Sequence, residues 1–279
     1  MNRIEGEFEG VNDIKLYYQA WLPEKDPKAI IIAAHGFASH SGRLINVATA
    51  LIPLDFGFYA NDHRGHGKSG GKQNYVKNMD EYVEDERNFY EIVKKKHSNL
   101  PIFMLGQSMG SAITFYFAQI YSQDLKGIIV SGSGTKYGGD KVPKIKIKLA
   151  KAMSKVAPKF SASTGLDPNL LSRDPEVVKA YINDPLVHYK KTTAGQANSM
   201  IESFKKLPDI VGNLECPILV QKGLADEIIT GYDELKSALN PNDVTFREYE
   251  GLYHEIYNEL SKDREKVLRD LSDWLENHL

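Results

Sequence analysis

Five residues, Gly106-Gln107-Ser108-Met109-Gly110, limit what this chain can fold into more than any others. They follow Pro101-Ile102-Phe103-Met104-Leu105, an apolar run that reads as a buried strand. They precede Ser111-Ala112-Ile113-Thr114-Phe115-Tyr116-Phe117-Ala118, which reads as a buried helix. A serine between two glycines at a strand-to-helix turn meets the requirement of a nucleophile elbow. The turn is so tight that side chains two residues either side of the serine would collide, which calls for glycine at both places. The hydroxyl then stands free above the sheet, and the next amide opens toward the helix N-terminus. The five-residue pattern alone is common. Whether it carries chemistry depends on a base, an acid and an oxyanion hole supplied from elsewhere in the chain.

A chain of 279 residues suffices for one large α/β domain with an insertion, or for two small domains. Apolar content of 42% and charged content of 26% give no indication of disorder. A net charge of -2 argues against a nucleic-acid binder driven by overall charge. The single cysteine, Cys216, rules out an intramolecular disulfide and fits a reducing compartment. Lying before Pro217 in an apolar run, it reads as a buried structural thiol. Met1 to Glu7 has no apolar core of signal-peptide length, and no window approaches the roughly 18 apolar residues of a membrane span. The expectation is a soluble, cytoplasmic protein.

Ile14 to Leu22 alternates and is rich in tyrosine, as a half-exposed antiparallel strand would be. Ala29 to Ala34 is continuously apolar and ends at His35-Gly36, reading as a central strand. A helix from Leu44 to Leu54, a strand from Gly57 to Asn61 and an amphipathic helix from Asp80 to Lys96 follow. Beyond the elbow, Gly127 to Gly132, Pro217 to Gly223 and Val244 to Tyr249 read as strands. A helix near Gly231 to Leu239 separates the last two, and Ser261 is a candidate N-cap for a closing helix to Asn277. Strands alternating with helices predict an α/β fold: a mostly parallel central sheet with helices on both faces. Ligands of such sheets bind at the carboxyl ends of the strands, where Ser108 sits.

Residues 135–205 break this rhythm and show no convincing strand, so they are read as a helical cap inserted into a core of residues 1–134 and 206–279. Within the cap, Val142, Ile145, Leu149, Ala152, Met153 and Val156 recur at helical spacing, with Lys141, Lys144, Lys148, Lys151 and Lys155 between them. Pro143 suits the start of that helix and Pro158 its stop. Such a helix can pack its stripe on the core with the lysines in water. It can also lie on an anionic lipid surface. Both hold if the stripe is partly buried and its exposed end guards a substrate entrance.

A serine hydroxyl needs a hydrogen-bonded general base, usually histidine. Of eight histidines, His254 follows the last strand in Gly251-Leu252-Tyr253-His254, at the end of the sheet where Ser108 lies. His97 and His278 fall at the ends of surface helices, and His188 falls in the insertion. His35, His40, His63 and His66 occupy loops at the functional edge but precede the serine. For the acid, Asp226 in Gly223-Leu224-Ala225-Asp226 lies just beyond the preceding strand; its alternative is a helix cap. Asp209 and Asp243 compete, but both fall before strands, at the opposite end of the sheet. An oxyanion hole would use the backbone amides of Met109 and Phe37, the latter in the loop His35-Gly36-Phe37. His35 reads as a hydrogen bonder that braces this loop.

With these residues in view, the chain resembles an α/β-hydrolase, and within that fold the monoglyceride lipase and lysophospholipase group. His35-Gly36-Phe37-Ala38-Ser39-His40-Ser41-Gly42-Arg43 resembles the group's oxyanion loop. Asp62-His63-Arg64-Gly65-His66-Gly67-Lys68-Ser69-Gly70 resembles its next motif, a loop that braces the site. The elbow matches with its methionine, as do the acid loop Gly223 to Asp226 and the base loop Gly251 to His254. Four positions depart: Ser39 stands for a common glutamate, Leu44 for a tyrosine, Gln107 for a frequent histidine and Ser111 for a frequent glycine. The first two bear on recognition of a glycerol headgroup.

The resemblance implies a serine hydrolase of monoacylglycerols or similar single-chain lipid esters, with no metal or organic cofactor. The alternatives are a lysophospholipase, a short- or medium-chain carboxylesterase, a thioesterase and an aminopeptidase, all served by the same triad. A non-catalytic binding protein on the same scaffold is the alternative of another class.

Overall fold

The run Ala29–Ala34 has no polar face to turn to water, so a strand built from it needs cover on both sides. In the computed structural model, which describes residues 2–138, 144–239 and 243–279, helices give that cover on two faces of an eight-stranded sheet. The chain enters through an antiparallel pair, β1 (Asn2–Glu9) and β2 (Lys15–Leu22). The central part follows as β3 (Ala29–Ala34), α1 (Ile45–Leu51), β4 (Phe56–Asn61) and α2 (Met79–Lys96). Next come β5 (Ile102–Gln107), α3 (Met109–Tyr121) and β6 (Gly127–Ser131).

The chain then leaves the sheet through β7 (Lys136–Tyr137), α4 (Lys144–Val156), β8 (Ser161–Ser163), α5 (Pro175–Asn183), β9 (Lys191–Thr193) and α6 (Ala194–Val211). It returns with β10 (Ile218–Gly223), β11 (Ile229–Thr230), α7 (Tyr232–Ala238), β12 (Val244–Tyr249) and α8 (Ser261–Asn277).

The strand order is β1-β2-β4-β3-β5-β6-β10-β12. β2 is antiparallel to both neighbours, and every pairing from β4 to β12 is parallel. Alternate side chains divide between two cores. Ile30 and Ile32 of β3, Met104 of β5 and Val130 of β6 join Phe89 of α2 with Ile113 and Phe117 of α3. Ile31, Phe103, Ile129 and Leu219 of β10 join Val47 and Leu51 of α1 with Leu271 and Trp274 of α8. Each such side chain contributes about 1.5–3 kcal/mol when fully buried. A surface ion pair contributes about 0–1 kcal/mol, so the two apolar layers, not surface charge, hold the sheet where it positions the site.

Three readings change here. β1 is an addition to the strands expected from the sequence: its Glu5, Glu7 and Glu9 are exposed while Phe8 is buried, and a polar edge strand of this kind carries little apolar signal. Ser261 is the first residue of α8 and not its cap: Leu260 holds the cap position, and the Ser261 hydroxyl donates to Glu265 at 3.1 Å. The stretch 135–205, read as free of strands, contains β7, β8 and β9. β8 pairs antiparallel with β9, and β7 pairs antiparallel with β11, just after Asp226. Strands of two or three residues are too short to show an alternation. α6 runs on through residue 205 to Val211.

α4 follows its expected stripe only in part. Leu149 and Met153 of the stripe line a cavity, together with Ile147 and Ala150 from outside it. Ile145 is 72% exposed, Leu149 60% and Val156 79%. Lys141, Val142 and Pro143, expected at the start of this helix, lie outside the described residues.

Candidate active site

β5 delivers Ser108 to the carboxyl end of the sheet, and α3 begins at the next residue. Between them the backbone at Ser108 takes φ 56° and ψ -121°. A non-glycine residue there stores strain of about 1–3 kcal/mol, which persists only if its surroundings hold it. They do: the Ser108 amide donates to the Ser131 carbonyl at 2.9 Å. The Ser108 carbonyl accepts from the Ser111 amide at 2.8 Å and from its hydroxyl at 2.6 Å. Glycine at 106 and 110 is required sterically. A Cβ on Gly106 would lie 2.2 Å from the Gly110 carbonyl oxygen, and one on Gly110 would lie 2.0 Å from the Ala34 carbonyl oxygen. The elbow is therefore pressed against the end of β3 as well as on itself.

β10 ends in the loop carrying Asp226, and β12 in the loop carrying His254. Fold and register bring both to Ser108. His254 Nε2 lies 2.8 Å from Ser108 Oγ, and His254 Nδ1 lies 2.9 Å from Asp226 Oδ2. All three residues are buried. An ionised carboxylate only accepts, so the imidazole donates from Nδ1 and keeps an Nε2 lone pair for the serine proton. Burial by itself raises the Asp226 carboxyl, but the neighbouring His254 and Lys222 hold it well below the ordinary aspartate value. The other oxygen, Oδ1, accepts from the amides of Ile228 at 2.9 Å and Ile229 at 3.1 Å. Asp226 thus meets the geometric demands of a third member and has no helix-capping bond. The competing carboxylates lie elsewhere: Asp209 is inside α6, and Asp243 precedes β12 and meets His278 Nε2 at 3.1 Å.

Met109 begins α3, so its amide is among those that a helix start leaves without an intrahelical acceptor. The Phe37 amide follows Gly36, where an added Cβ would lie 3.1 Å from Ser108 Cβ. The loop that carries Phe37 therefore packs directly against Ser108. The other histidines are engaged away from the serine. His40 Nε2 meets Asp184 at 2.9 Å and His97 Nε2 the Tyr59 hydroxyl at 2.9 Å, while His188 is exposed. Among the described residues, no group of three or more His, Cys, Asp or Glu side chains is arranged to hold a metal ion.

A family model described as Hydrolase_4, serine aminopeptidase S33, matches residues 25–261. This chain belongs to that α/β-hydrolase family. It is 37% identical to a monoacylglycerol lipase of Mycolicibacterium smegmatis over 99% of this chain and 98% of that protein. Human monoglyceride lipase is 29% identical, over 93% of this chain and 86% of its own length. The crystal structure of Paleococcus ferrophilus monoacylglycerol lipase superposes with a TM-score of 0.82 at 28% identity, covering 100% of both chains. A soluble variant of Saccharomyces cerevisiae monoglyceride lipase, in complex with a substrate analog, shares the fold with a TM-score of 0.88 at 21% identity, over 99% of this chain and 94% of that one.

Several residues around this hydrolase site were not singled out from the sequence. Lys222 donates from Nζ to Asp226 Oδ2 at 2.6 Å, the oxygen that His254 also uses, and to the Ile229 carbonyl at 2.9 Å. Its signal was available: it is a lone charge in the otherwise uncharged run Ile218–Gly223, four residues before the acid. Glu259 accepts the Tyr253 amide at 2.8 Å and so braces the base loop. Glu255 meets Arg43 Nη2 at 2.5 Å, and the Arg43 guanidinium stacks on the Tyr181 ring at 4.6 Å. Asp62 accepts from the Ser41 amide, the Ser41 hydroxyl and the Lys68 amide at 2.6–2.8 Å, so the second motif does brace the first.

A cavity of about 480 Å³ is lined by Ile147, Met153, Leu166, Leu170, Ile201 and Ile228 among others; Ser108, Asp226 and His254 do not line it, and the links to them run through Ile228 and Gln196. Ile228 joins this wall to the acid, because its amide is one of those bonded to Asp226. Gln196 joins it to the elbow, donating to Met109 Sδ at 3.3 Å, while its α6 neighbours Ala194 and Ala197 face the cavity.

Proposed function

We propose that this chain is a serine carboxylic-ester hydrolase acting on monoacylglycerols, with Ser108, His254 and Asp226 as catalytic residues. The observation that carries the reading is the single line of bonds from Ser108 Oγ through both nitrogens of His254 to Asp226. His254 Nε2 takes the Ser108 proton as the hydroxyl oxygen attacks the ester carbonyl. Negative charge gathers on the former carbonyl oxygen, which the amides of Phe37 and Met109 receive. Collapse breaks the ester bond, and glycerol leaves with the proton held by His254. A water molecule then gives a proton to the same nitrogen and attacks the acyl-serine, and collapse breaks the acyl–Oγ bond as His254 returns that proton to Ser108 and the fatty acid leaves.

The choice of a lipid ester draws on the cavity. Its lining is mostly apolar, with Thr164, Asp167 and Glu227 among the polar exceptions, and its size falls within the range of about 300–1,000 Å³ usual for small-molecule sites. Similarity to monoacylglycerol lipases over nearly the whole chain points the same way. A turnover series separates the alternatives: monoacylglycerols of increasing chain length, simple esters of the same acids, and lysophosphatidylcholine. Preference for monoacylglycerols over both other sets supports the reading; faster turnover of lysophosphatidylcholine or of short simple esters replaces it.

A second proposal concerns where the substrate is met. Ile145, Val156 and Phe160 are exposed on and just beyond α4, beside exposed Lys148 and Lys155. Apolar side chains interleaved with lysines suit an anionic lipid surface, and the opposite side of the same helix lines the cavity. Co-sedimentation with liposomes with and without anionic lipid tests it, and failure to bind either kind removes it. Among the described residues no helix is long and apolar enough to cross a membrane.

A further inference from the structure

Beneath the loop that carries Phe37, three buried imidazoles cluster, and the proton transfers described above use none of them. His35 and His63 lie 4.1 Å apart between ring centroids, and His66 packs edge-on against His35 at 5.6 Å. Both ring nitrogens of His35 are committed. Nδ1 lies 2.7 Å from the Gly36 carbonyl oxygen, and Nε2 lies 3.0 Å from the His63 backbone nitrogen. A carbonyl oxygen only accepts and a backbone amide only donates, so the ring proton must sit on Nδ1. Burial, then the neighbouring His63 and His66, push the His35 imidazole well below the usual histidine range, which keeps it neutral in this one tautomer. The His63 ring closes the circuit by donating from Nε2 to the His35 carbonyl at 3.0 Å, and its Nδ1 lies 3.2 Å from Glu86 on α2.

The bond to Gly36 has a consequence one atom further on. In a trans peptide the carbonyl of one residue and the N–H of the next point in opposite directions, and no cis peptide occurs among the described residues. A carbonyl held toward the His35 ring therefore turns the Phe37 N–H away from it. The reverse orientation would aim the Gly36 carbonyl oxygen where the amide now points. Gly36 has no side chain to resist such a flip, and Ala38 already sits at φ 50°. The same glycine lies against the nucleophile, since a Cβ on it would be 3.7 Å from Ser108 Oγ.

We propose that His35 is a positioning residue whose Nδ1–H locks the Gly36–Phe37 peptide so that the Phe37 amide faces the oxyanion formed on Ser108. The proposal rests on Ser108 being the nucleophile. Loss of the Nδ1 donor frees the peptide to turn, replacing a donor to the developing negative charge with an acceptor that repels it. An oxyanion donor acts on charge that develops only on the way to the transition state, so the loss falls on kcat and spares KM.

Two amide side chains distinguish the ring nitrogens. Asparagine places an amide nitrogen near the position of Nδ1 and preserves a donor for the Gly36 carbonyl. Glutamine reaches the position of Nε2 and restores only the acceptor for the His63 amide. With a soluble p-nitrophenyl ester, His35→Gln should lose about 100-fold in kcat, the order seen when one oxyanion donor is removed. KM should stay within about twofold, and labelling by a fluorophosphonate should slow in parallel. His35→Asn should stay within about tenfold of the wild-type kcat, with Tm values of the two variants alike. Equal kcat loss in both variants, or loss that follows Tm, overturns the proposal. The wild-type protein supplies a measurement that needs no variant to fold: ¹⁵N shifts should show His35 protonated at Nδ1 and bare at Nε2 across neutral pH, and the other tautomer overturns it. Ser108→Ala run alongside separates the two levels. Retained turnover there removes the catalytic reading itself, whereas an inactive Ser108→Ala beside a fully active His35→Gln removes only the role of His35.

Discussion

At the carboxyl ends of β5, β10 and β12, polar groups are buried and bonded to one another. On α4, in the segment that the chain inserts between β6 and β10, apolar groups stand in water. Asp226 is almost wholly enclosed yet receives four donors: His254, Lys222 and the amides of Ile228 and Ile229. Ile145 and Val156 are more than two-thirds exposed. The difference follows from what each region has to do. A charge-handling site gains from dipoles fixed before reaction, because reorienting them during reaction costs free energy. A surface that meets lipid gains from apolar area left uncovered until it binds.

The largest effect expected on the fixed side is Ser108→Ala. Turnover of a p-nitrophenyl ester should fall by about 10⁶-fold while Tm changes little, and substantial residual activity would show that the enclosed site is not the reactive one. Asp226→Asn should lower kcat by about 10⁴-fold, because the imidazole loses the acceptor that holds its tautomer.

The same variant carries a pH signature. The folded-state carboxyl is held below the unfolded value of about 3.9. Its contribution to stability is therefore present above that value and is lost as pH falls through the lower folded value. Urea midpoints measured downward from pH 6 should drop more steeply for the wild type than for Asp226→Asn as pH falls below about 4. Parallel curves would mean that Asp226 is not the group held down.

Lys222→Met tests whether the charge beside the acid is structural. Breaking a buried ion pair on one side typically costs about 3 kcal/mol or more, although the partners that remain on Asp226 should keep the loss near the lower end. A urea midpoint unchanged from wild type would show that Lys222 adds no stability. On the exposed side, Ile145→Glu with Val156→Glu should leave stability within about 0.5 kcal/mol and activity on a soluble ester unaltered. Sedimentation with anionic liposomes should fall. Undiminished sedimentation would erase the contrast between the two regions.

The central strands were legible because both of their faces are covered. Continuous apolar runs such as Ala29–Ala34 and Gly127 to Val130 have no other soluble arrangement, and their helices follow at the expected places. Ser108, Asp226 and His254 were legible because each follows the carboxyl end of a strand in one parallel sheet, so each had to emerge at the same edge of it. β1 and the short strands of residues 135–205 were obscured for different reasons. β1 is a polar edge, and the others are too short for alternation to register. The stripe on α4 was legible only in part, because helical spacing marks an apolar face without saying what covers it; Leu149 and Met153 of the stripe line the cavity with Ile147 and Ala150, while Ile145 and Val156 stand exposed.

By itself, the sequence determined the elbow, the order of the catalytic candidates and the parallel sheet that presents them, because glycine sterics and continuous apolar runs act locally. Only the tertiary structure decided which partners those residues keep. Lys222 on the acid, His35 on the Gly36 carbonyl and the outward turn of Ile145 all depend on distances between segments far apart in the chain. A hydrogen bond is set by such distances, within a few tenths of an ångström, and no local pattern encodes them.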